Sequence, residues 1–371
     1  MQHAVDNIVA WLLLKAGPDR FGFLHRLPMT VWYIVFMLLF AFIVLNFVAA
    51  FAGIATYVER KIAAHMQHRL GPMRVGFHGI LQFLADGVKL VQKEDIIPAA
   101  ADSILFRAAP YMVFTGAFAM FAVMPFGRTL NITNLNIGLF YVLAVGSLVV
   151  MGILMGGWCS GNKWSLFGAM RSVAQIVSYE IPVGICLLTV AMMAGTLNLN
   201  DIVDQQAAPG LFHLGGVFGW NVFRYLPFTG ILFLILFIGS LAETNRTPFD
   251  LPEAESELVS GYHTEYSGMR FSFFFMAEYA DMLAVSGIGA AAFLGGWQCP
   301  YGHPRLPGVW AVGEGVVWFL AKAFFLIFVM MWLRWTLPRY RVDQLMYLCW
   351  KVLLPWSIAC MLGVGIWMLL A

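Results

Sequence analysis

"TVWYIVFMLLFAFIVLNFVAAFAGIATY", residues 30–57, runs for 28 residues without a charged side chain. The hydrocarbon core of a bilayer is about 30 Å thick, and about 20 apolar residues in a helix are enough to cross it. This stretch therefore predicts a transmembrane α-helix. Seven more apolar stretches follow and predict eight spans in all, near residues 30–57, 105–126, 137–158, 173–197, 223–242, 271–297, 310–334 and 350–370.

The composition of the whole chain supports the same fold class. Of its 371 residues, 61% are hydrophobic and only 11% are charged, and the mean hydropathy is +0.78. Soluble domains carry about 25% charged residues. Only helices and closed barrels satisfy the backbone in lipid, and these stretches lack the alternation of barrel strands. We expect an all-α integral membrane protein in the lipid bilayer, and a net charge of +2 does not indicate nucleic acid as a partner.

Polar connections separate the spans. The sequence has no internal repeat and no low-complexity linker, so we predict a single membrane domain over residues 1–371. A short apolar segment at residues 4–16 is expected to lie at the membrane interface. Lys and Arg concentrate in alternate connections, and basic loops of this kind face the cytoplasm, so both termini are predicted on the periplasmic side. The cytoplasmic loops are predicted at about 58–104, 159–172, 243–270 and 335–349.

The first of these loops contains an amphipathic helix. Over residues 81–93, apolar side chains recur at spacings of three and four, with polar side chains on the opposite side. Such a helix is expected to lie along the membrane surface. Its apolar side is formed by Leu81, Leu84, Val88 and Val91, and its polar side by Gln82, Asp86, Lys89 and Lys93.

No part of the sequence has the spacing of a metal or cofactor site. The five cysteines are scattered singly and form no CxxC pair, so ligation of zinc or an iron–sulfur cluster has no support. No glycine-rich phosphate-binding fingerprint follows a strand. We therefore predict no metal and no redox cofactor bound by this chain.

Ionisable side chains inside the predicted spans indicate function. A charge at the centre of a span costs about 2.5–3.5 kcal/mol, which favours interior pairing or a water-filled path. Lys322 lies far from both ends of its span, so a functional role is favoured over snorkelling to the interface. For Glu180, Glu278 and Asp281 the two alternatives are left open. Glu278 and Asp281 share one helix face because they are three residues apart.

An acidic connection, "ETNRTPFDLPEAESELVSGYHTEYSG", residues 243–268, lies between two apolar stretches. Its two prolines interrupt any helix that continues from the preceding span. Asp250 is predicted to cap a short new helix with Glu253 at its third position. Glu253 and Glu257 then share a face, and Glu255 points elsewhere. A solvated acidic loop is the alternative, but apolar residues in the same stretch suggest burial against a partner: Leu251, Leu258, Val259, Tyr262 and Tyr266.

Long motifs recur in a fixed order along the chain. They are "ERK", "QHRLGPMRVG", "LQFLADGVKLVQKEDIIP", "GAMRSVAQIVSYE", the acidic connection, "FFFMAEYA" and "LPRYRVDQLMYLCWKVLLP". In these motifs the chain resembles the H-subunit family of proton-translocating NADH–quinone oxidoreductase, the respiratory complex I of bacteria. The resemblance extends from Glu59 to Pro355. Met73 departs from it, because the family more often has Asn at that point, which puts one local loop contact in doubt.

The resemblance implies a membrane subunit that joins the membrane arm to the soluble redox arm of a complex in the bacterial inner membrane. It also implies a tunnel for quinone, the substrate, with Arg60, Gln67, Arg69 and Asp86 near the tunnel and its opening. Binding of lipid headgroups is the alternative for Arg60 and Arg69. FMN and iron–sulfur clusters are implied in partner subunits. Those partners are soluble quinone-site and iron–sulfur subunits, small membrane subunits and antiporter-like subunits.

The family also has a chain of buried carboxylates that leads from the quinone site toward the antiporter-like subunits. Glu180, Glu243 and Glu278 match that chain, and Arg171 and Arg334 match family cations. We hypothesise that the acidic connection is a protonation-sensitive switch that acts on this series of buried carboxylates. The switch and the buried lysine add these residues to the proton-coupling set: Arg246, Asp250, Glu253, Glu255, Glu257 and Lys322.

Two other functions are left open. One is the homologous membrane subunit of a related complex, either hydrogenase-linked or F420-linked. The other is a proton- or cation-coupled carrier, which ranks last because carriers usually show repeated halves and broken helices. Neighbouring genes for iron–sulfur and antiporter-like subunits would favour the quinone-reducing complex.

Overall fold

The computed structural model describes residues 29–128, 130–208, 216–252, 258–301 and 309–370, and this part of the chain contains helices and no strands. Apart from single turns, its helices are α1 Met29–Met66, α2 Gln82–Gln92, α3 Ser103–Ala119, α4 Gly138–Cys159, α5 Lys163–Ala194, α6 Leu199–Gln205, α7 Asn221–Arg224, α8 Phe228–Glu243, α9 Gly268–Phe293, α10 Val309–Thr336, α11 Val342–Tyr347 and α12 Leu354–Leu370. A π-helical segment, Leu348–Leu353, joins α11 to α12. The predicted all-α membrane fold is confirmed.

Seven of the described helical segments are long and apolar enough to cross a membrane, and α8 is a shorter apolar helix of 16 residues. The fifth predicted span, 223–242, is divided between α7 and α8. Pro227 lies between them as the N-cap residue of α8, and a proline disfavours helical conformation in the residue before it. The expected interfacial segment, residues 4–16, lies outside the described residues.

Several helices extend into stretches that the sequence predicts as loops. α1 continues nine residues beyond position 57 to Met66, α5 begins at Lys163, and α11 begins at Val342. Charged and polar residues such as Glu, Arg and Lys are good helix formers, so a helix does not end where its apolar run ends. As a result, residues near 59 and 171 lie on helices rather than in loops.

α9 is the central helix of the bundle and packs against α1, α3, α8 and α10. Every residue of α9 from Tyr279 to Phe293 is buried. This segment contains many Ala and Gly residues, whose small size lets the backbones of neighbouring helices approach closely. In lipid, such close van der Waals packing holds helices together in place of the hydrophobic effect. The helix that carries Glu278 and Asp281 is therefore also the most enclosed helix of the bundle.

The predicted amphipathic helix is confirmed as α2, Gln82–Gln92. Its apolar side is not covered by the rest of this chain: Leu84, Val88 and Val91 are 52%, 56% and 66% exposed. This leaves an apolar strip that membrane lipid, a partner subunit or an apolar ligand can contact.

Candidate functional site

Arg246 lies at the centre of the site and is only 1% exposed. It follows the end of α8, where Asn245 has a positive φ of 49°. Asn tolerates this left-handed conformation, which is a common way to end a helix. The Arg246 amide then donates to the carbonyl of Leu241 at 3.1 Å. The chain turns back on α8, and the Arg246 side chain is buried among the helices.

Five side chains form a buried ion cluster around this guanidinium: Glu59, Arg246, Glu278, Tyr279 and Arg334. Arg246 Nη1 donates to both carboxylate oxygens of Glu59 at 2.7 and 2.8 Å, and its Nε lies 3.0 Å from Glu278 Oε1. The guanidinium stacks 4.6 Å from the centre of the Tyr279 ring. Tyr279 donates to Glu59 Oε2 at 2.6 Å, and Arg334 donates to Glu59 Oε1.

The ion cluster has two carboxylates and two guanidiniums, so its formal charges balance. Burial alone would lower the pKa of Arg246, but Glu278 and Glu59 raise it well above its ordinary value. Arg246 therefore stays charged. Buried carboxylates need such paired and hydrogen-bonded surroundings to remain ionised.

Glu59 and Tyr279 are the two members of the ion cluster that the sequence analysis does not single out. Glu59 was missed because the apolar run ends at position 57 and a loop is predicted from 58 onward. In the structure Glu59 is 4% exposed and lies on the buried side of α1. Ala52, Ala55 and Ala63 share this side and are also buried. Their spacing of three and four around Glu59 is a helical pattern. This small-residue stripe was the available signal that the helix continues and that Glu59 faces inward.

A chain of carboxylates leads away from the ion cluster through two small cavities. Glu278, Asp281 and Glu243 line a cavity of about 20 Å³, together with the polar residues Thr244 and Asn245. Glu243 also lines a second cavity of about 30 Å³, with Glu180 on its other side. Each volume is large enough for a water molecule, which needs about 10–15 Å³. The structure thus brings together the three glutamates that the resemblance assigned to one chain.

The four residues assigned to the quinone tunnel form two polar pairs where α1 ends and α2 begins. Arg60 Nη1 lies 2.7 Å from Asp86 Oδ2, and both side chains are partly exposed. Gln82 donates to the other oxygen of Asp86 at 3.2 Å. Arg69 Nε donates to Gln67 Oε1 at 2.7 Å. The Arg60–Asp86 pair thus lies on the polar side of α2, and Gln67 and Arg69 lie in the turn that follows α1.

Similarity to known proteins extends over most of the chain. A family model described as NADH dehydrogenase matches residues 37–365. The chain belongs to the NADH dehydrogenase family.

Curated relatives agree with this assignment. The chain is 53% identical over 349 residues to a protein of Chlorobaculum tepidum named as the H subunit of NADH-quinone oxidoreductase, with 91% of this chain and 94% of the relative covered. It is 44% identical over 376 residues to the protein of that name in Anaeromyxobacter dehalogenans, with 98% and 89% covered. The first of the H subunits named in Geobacter sulfurreducens is 45% identical, with 94% of this chain and 98% of the relative covered. The resemblance found in the motifs is confirmed.

Asp250, another predicted residue of this family member, lies near the ion cluster, where it interacts with Arg334 and Arg246. Asp250 Oδ2 accepts from Arg339 Nη2 at 2.9 Å. Burial raises the pKa of the Asp250 carboxyl, and Arg339 and Arg334 oppose that rise. Arg171 lies in α5, nine residues before Glu180. The predicted helix after Asp250, with Glu253, Glu255 and Glu257, lies outside the described residues.

The apolar part of the acidic connection packs against this chain, and the expectation that a partner buries it was wrong for most of its residues. Leu251, Leu258, Tyr262 and Tyr266 are 3–6% exposed within the chain itself, whereas Val259 is 57% exposed. A Cβ at Gly168 in α5 would lie 2.7 Å from the Cα of Gly261, so the backbone of the connection touches α5 directly. The described residues of the connection, on either side of 253–257, are thus part of the helix bundle.

Lys322 is separate from the carboxylates. It is 8% exposed, and its Nζ donates to the carbonyls of Gly296 at 2.9 Å and Gln298 at 2.7 Å. The ammonium also lies 4.1 Å from the centre of the Trp220 ring. The two carbonyl groups belong to the loop that follows the C-terminal end of α9, about 20 Å along the helix from Glu278. In the described part of the chain, Lys322 contacts the loop after α9 and none of the predicted carboxylates.

Proposed function

We propose that this chain is the membrane subunit of a proton-translocating NADH–quinone oxidoreductase, in which it provides the quinone access path and couples quinone reduction to proton movement. One observation carries the proposal: the carboxylate chain of Glu278, Glu243 and Glu180, which two water-sized cavities connect inside the bundle. Membership of the NADH dehydrogenase family and the names of the relatives support the type of complex.

The quinone path would run beside α2. An isoprenoid tail needs an apolar slot and the quinone head needs polar groups along it. The uncovered side of α2 supplies the first, and the pairs Arg60–Asp86 and Arg69–Gln67 supply the second. Electrons would reach the quinone from iron–sulfur clusters and FMN held in soluble partner subunits.

The acidic connection would act as the switch between redox chemistry and proton movement. Asp250 is paired with Arg339, while Arg334, five residues before Arg339, is paired with Glu59 in the ion cluster. A change of charge at Asp250, Glu253, Glu255 or Glu257 would shift the balance of these cations. The ion cluster would transmit that shift because Glu278 is both its member and the first carboxylate of the chain.

Protons would then pass along the carboxylates toward small membrane and antiporter-like partner subunits. Arg171 and Arg334 would balance the negative charge of the chain. Lys322 would support coupling only indirectly and would carry no proton itself, because it holds the loop that follows α9 at the end opposite Glu278. In this arrangement the subunit lies in the bacterial inner membrane with both termini on the periplasmic side.

The quinone path can be tested with Arg60→Ala and Asp86→Ala in the assembled complex. Both changes should lower quinone reduction and inhibitor sensitivity, and leave NADH oxidation by hydrophilic artificial acceptors intact, because those acceptors take electrons in the soluble arm. Lys89→Ala is the matched control, since Lys89 is an exposed basic residue of α2. Quinone reduction at the level of the control in both variants would refute the proposed path and favour lipid headgroup binding.

A further inference from the structure

Asp281 is a carboxylate of α9 that the chain of three glutamates does not include. It is 7% exposed and lies one turn after Glu278, with the fully buried residues Ala280 and Ala284 beside it on the helix. A carboxylate at such a position inside a membrane is expensive and tends to have a functional role. Its Oδ1 atom is buried and has no hydrogen-bond partner among the described residues.

This unpartnered oxygen belongs to a side chain that lines the cavity of about 20 Å³ shared with Glu243 and Glu278. Asn245 and Thr244 add polar groups to the same wall. A cavity of this volume holds one water molecule when two to four polar partners surround it. The cavity therefore has the size and the polar groups that a bound water requires, and Asp281 supplies an oxygen that is otherwise unsatisfied.

The two glutamates of the cavity are each engaged on another side. Glu278 lies 3.0 Å from Arg246 in the ion cluster, and Glu243 also lines the second cavity with Glu180. Asp281 is close enough to interact electrostatically with both of them, and no salt bridge in the described part of the chain involves it. Carboxyl groups this close do not ionise independently and share protons. Asp281 thus shares one cavity with Glu278, which belongs to the ion cluster, and with Glu243, which also lines the cavity of Glu180.

We infer that Asp281 holds a proton between Glu278 and Glu243 and exchanges it through a water molecule in their common cavity. The inference rests on the proposed function. In the step, the O–H bond of Asp281 breaks as the water gains that proton, and the water gives up another proton to the Glu243 carboxylate. Asp281 is left ionised and is protonated again from the side of Glu278. Glu278 is ionised while it pairs with Arg246, so it supplies this proton only after it has taken one up from the side of the switch. One proton has then moved past Asp281 to Glu243, and no oxidant or reductant is needed.

The test uses the intact complex in proteoliposomes, with quinone-dependent NADH oxidation and proton uptake measured together. Asp281→Asn keeps the shape of the side chain but cannot exchange a proton, and Asp281→Glu keeps the carboxyl. We expect Asp281→Asn to lower both coupled rates about tenfold, less than the roughly 100-fold or more typical of a positioned acid–base group, because water can partly replace it. Asp281→Glu should recover at least about half of the lost rate if the carboxyl itself matters.

Ser286→Ala is the control for packing, since Ser286 lies in the same helix, is 2% exposed and contacts Met330 Sδ at 3.8 Å through its hydroxyl. It should leave both rates unchanged. NADH oxidation by a hydrophilic acceptor reports the amount of assembled complex. A wild-type rate in Asp281→Asn, or equal loss in Asp281→Asn and Asp281→Glu, would overturn the inference.

Infrared difference spectra of the oxidised and reduced complex give a second readout that does not depend on Asp281→Asn being assembled. The carboxylic C=O band that changes on reduction should shift in Asp281→Glu, and unchanged bands would contradict the inference. Glu243→Gln separates this inference from the proposed function. If Glu243→Gln loses coupled activity while Asp281→Asn keeps it, only the role of Asp281 is wrong. If Glu243→Gln also keeps wild-type rates, the proposed function fails.

Discussion

Replacing Arg246 by Met would remove the cation that Glu59 and Glu278 share in the ion cluster. Breaking a buried ion pair by removing one partner costs about 3–5 kcal/mol, because a charge is left behind in a poorly solvated site. Glu59 keeps Arg334 and Tyr279 as partners, which reduces the loss. The stacking of the guanidinium on Tyr279 disappears as well, which adds about 1–2 kcal/mol for a desolvated cation–π contact. We therefore expect Arg246→Met to lower the stability of the folded subunit by about 4 kcal/mol in total.

The stability of the assembled complex is measured as its half-life at elevated temperature, because membrane complexes of this kind unfold irreversibly. Arg246→Lys should recover part of the loss, since an ammonium keeps the charge but cannot contact both carboxylates and stack on a ring. In the double variant Arg246→Met with Glu278→Gln, removal of the unpaired carboxylate should restore about 0.5–3 kcal/mol.

Arg339→Met is the matched control for this measurement. It removes the same type of side chain from an ion pair with Asp250, but Arg339 is 34% exposed whereas Arg246 is 1% exposed. Partly exposed pairs contribute about 0–1 kcal/mol, so Arg339→Met should have a far smaller effect. Equal half-lives for Arg246→Met and Arg339→Met would refute the view that the ion cluster is a buried, mutually dependent unit.

Three further outcomes are expected. Single changes of Glu253, Glu255 or Glu257 to Gln should lower quinone reduction and linked proton pumping, and wild-type rates in all three from pH 6 to 8 would make the connection a solvated face. Burial lowers the pKa of His263 to about 4, so the unfolded chain binds the extra proton. Acidification from pH 7 to 5 should therefore lower the stability of the wild type by on the order of 1–2 kcal/mol. The His263→Gln variant lacks this group and should not show this loss. Lys322→Met should shorten the thermal half-life and leave the number of protons pumped per electron unchanged. An unchanged half-life with fewer protons pumped per electron would instead put Lys322 in the proton path.

The helices and the intramembrane carboxylates were predictable because both depend on local properties of the sequence. An apolar run of about 20 residues identifies a span by length alone, and the cost of a buried charge drew attention to Glu180 and Glu278. The ends of the helices were less predictable. Helix α1 continues beyond its apolar run to Met66, and this error assigned Glu59 to a loop.

The ion cluster itself could not be predicted from spacing. Its members come from four separate parts of the chain, near residues 59, 246, 278 and 334, and their meeting depends on how α1, α9 and α10 pack. The contacts of Lys322 were hidden for the same reason. Its depth in the span correctly indicated a buried charge, but hydropathy does not say whether the partner is a carboxylate or the carbonyls of Gly296 and Gln298.

The most direct test of the central claim is a simultaneous measurement of quinone-dependent NADH oxidation and proton uptake by proteoliposomes that contain the Glu243→Gln complex. Among the residues that the structure describes, Glu243 is the one that lines both cavities of the carboxylate chain. We predict that both rates fall together, while NADH oxidation by a hydrophilic acceptor stays at the wild-type level. Wild-type quinone reduction with wild-type proton uptake in this variant would contradict the account.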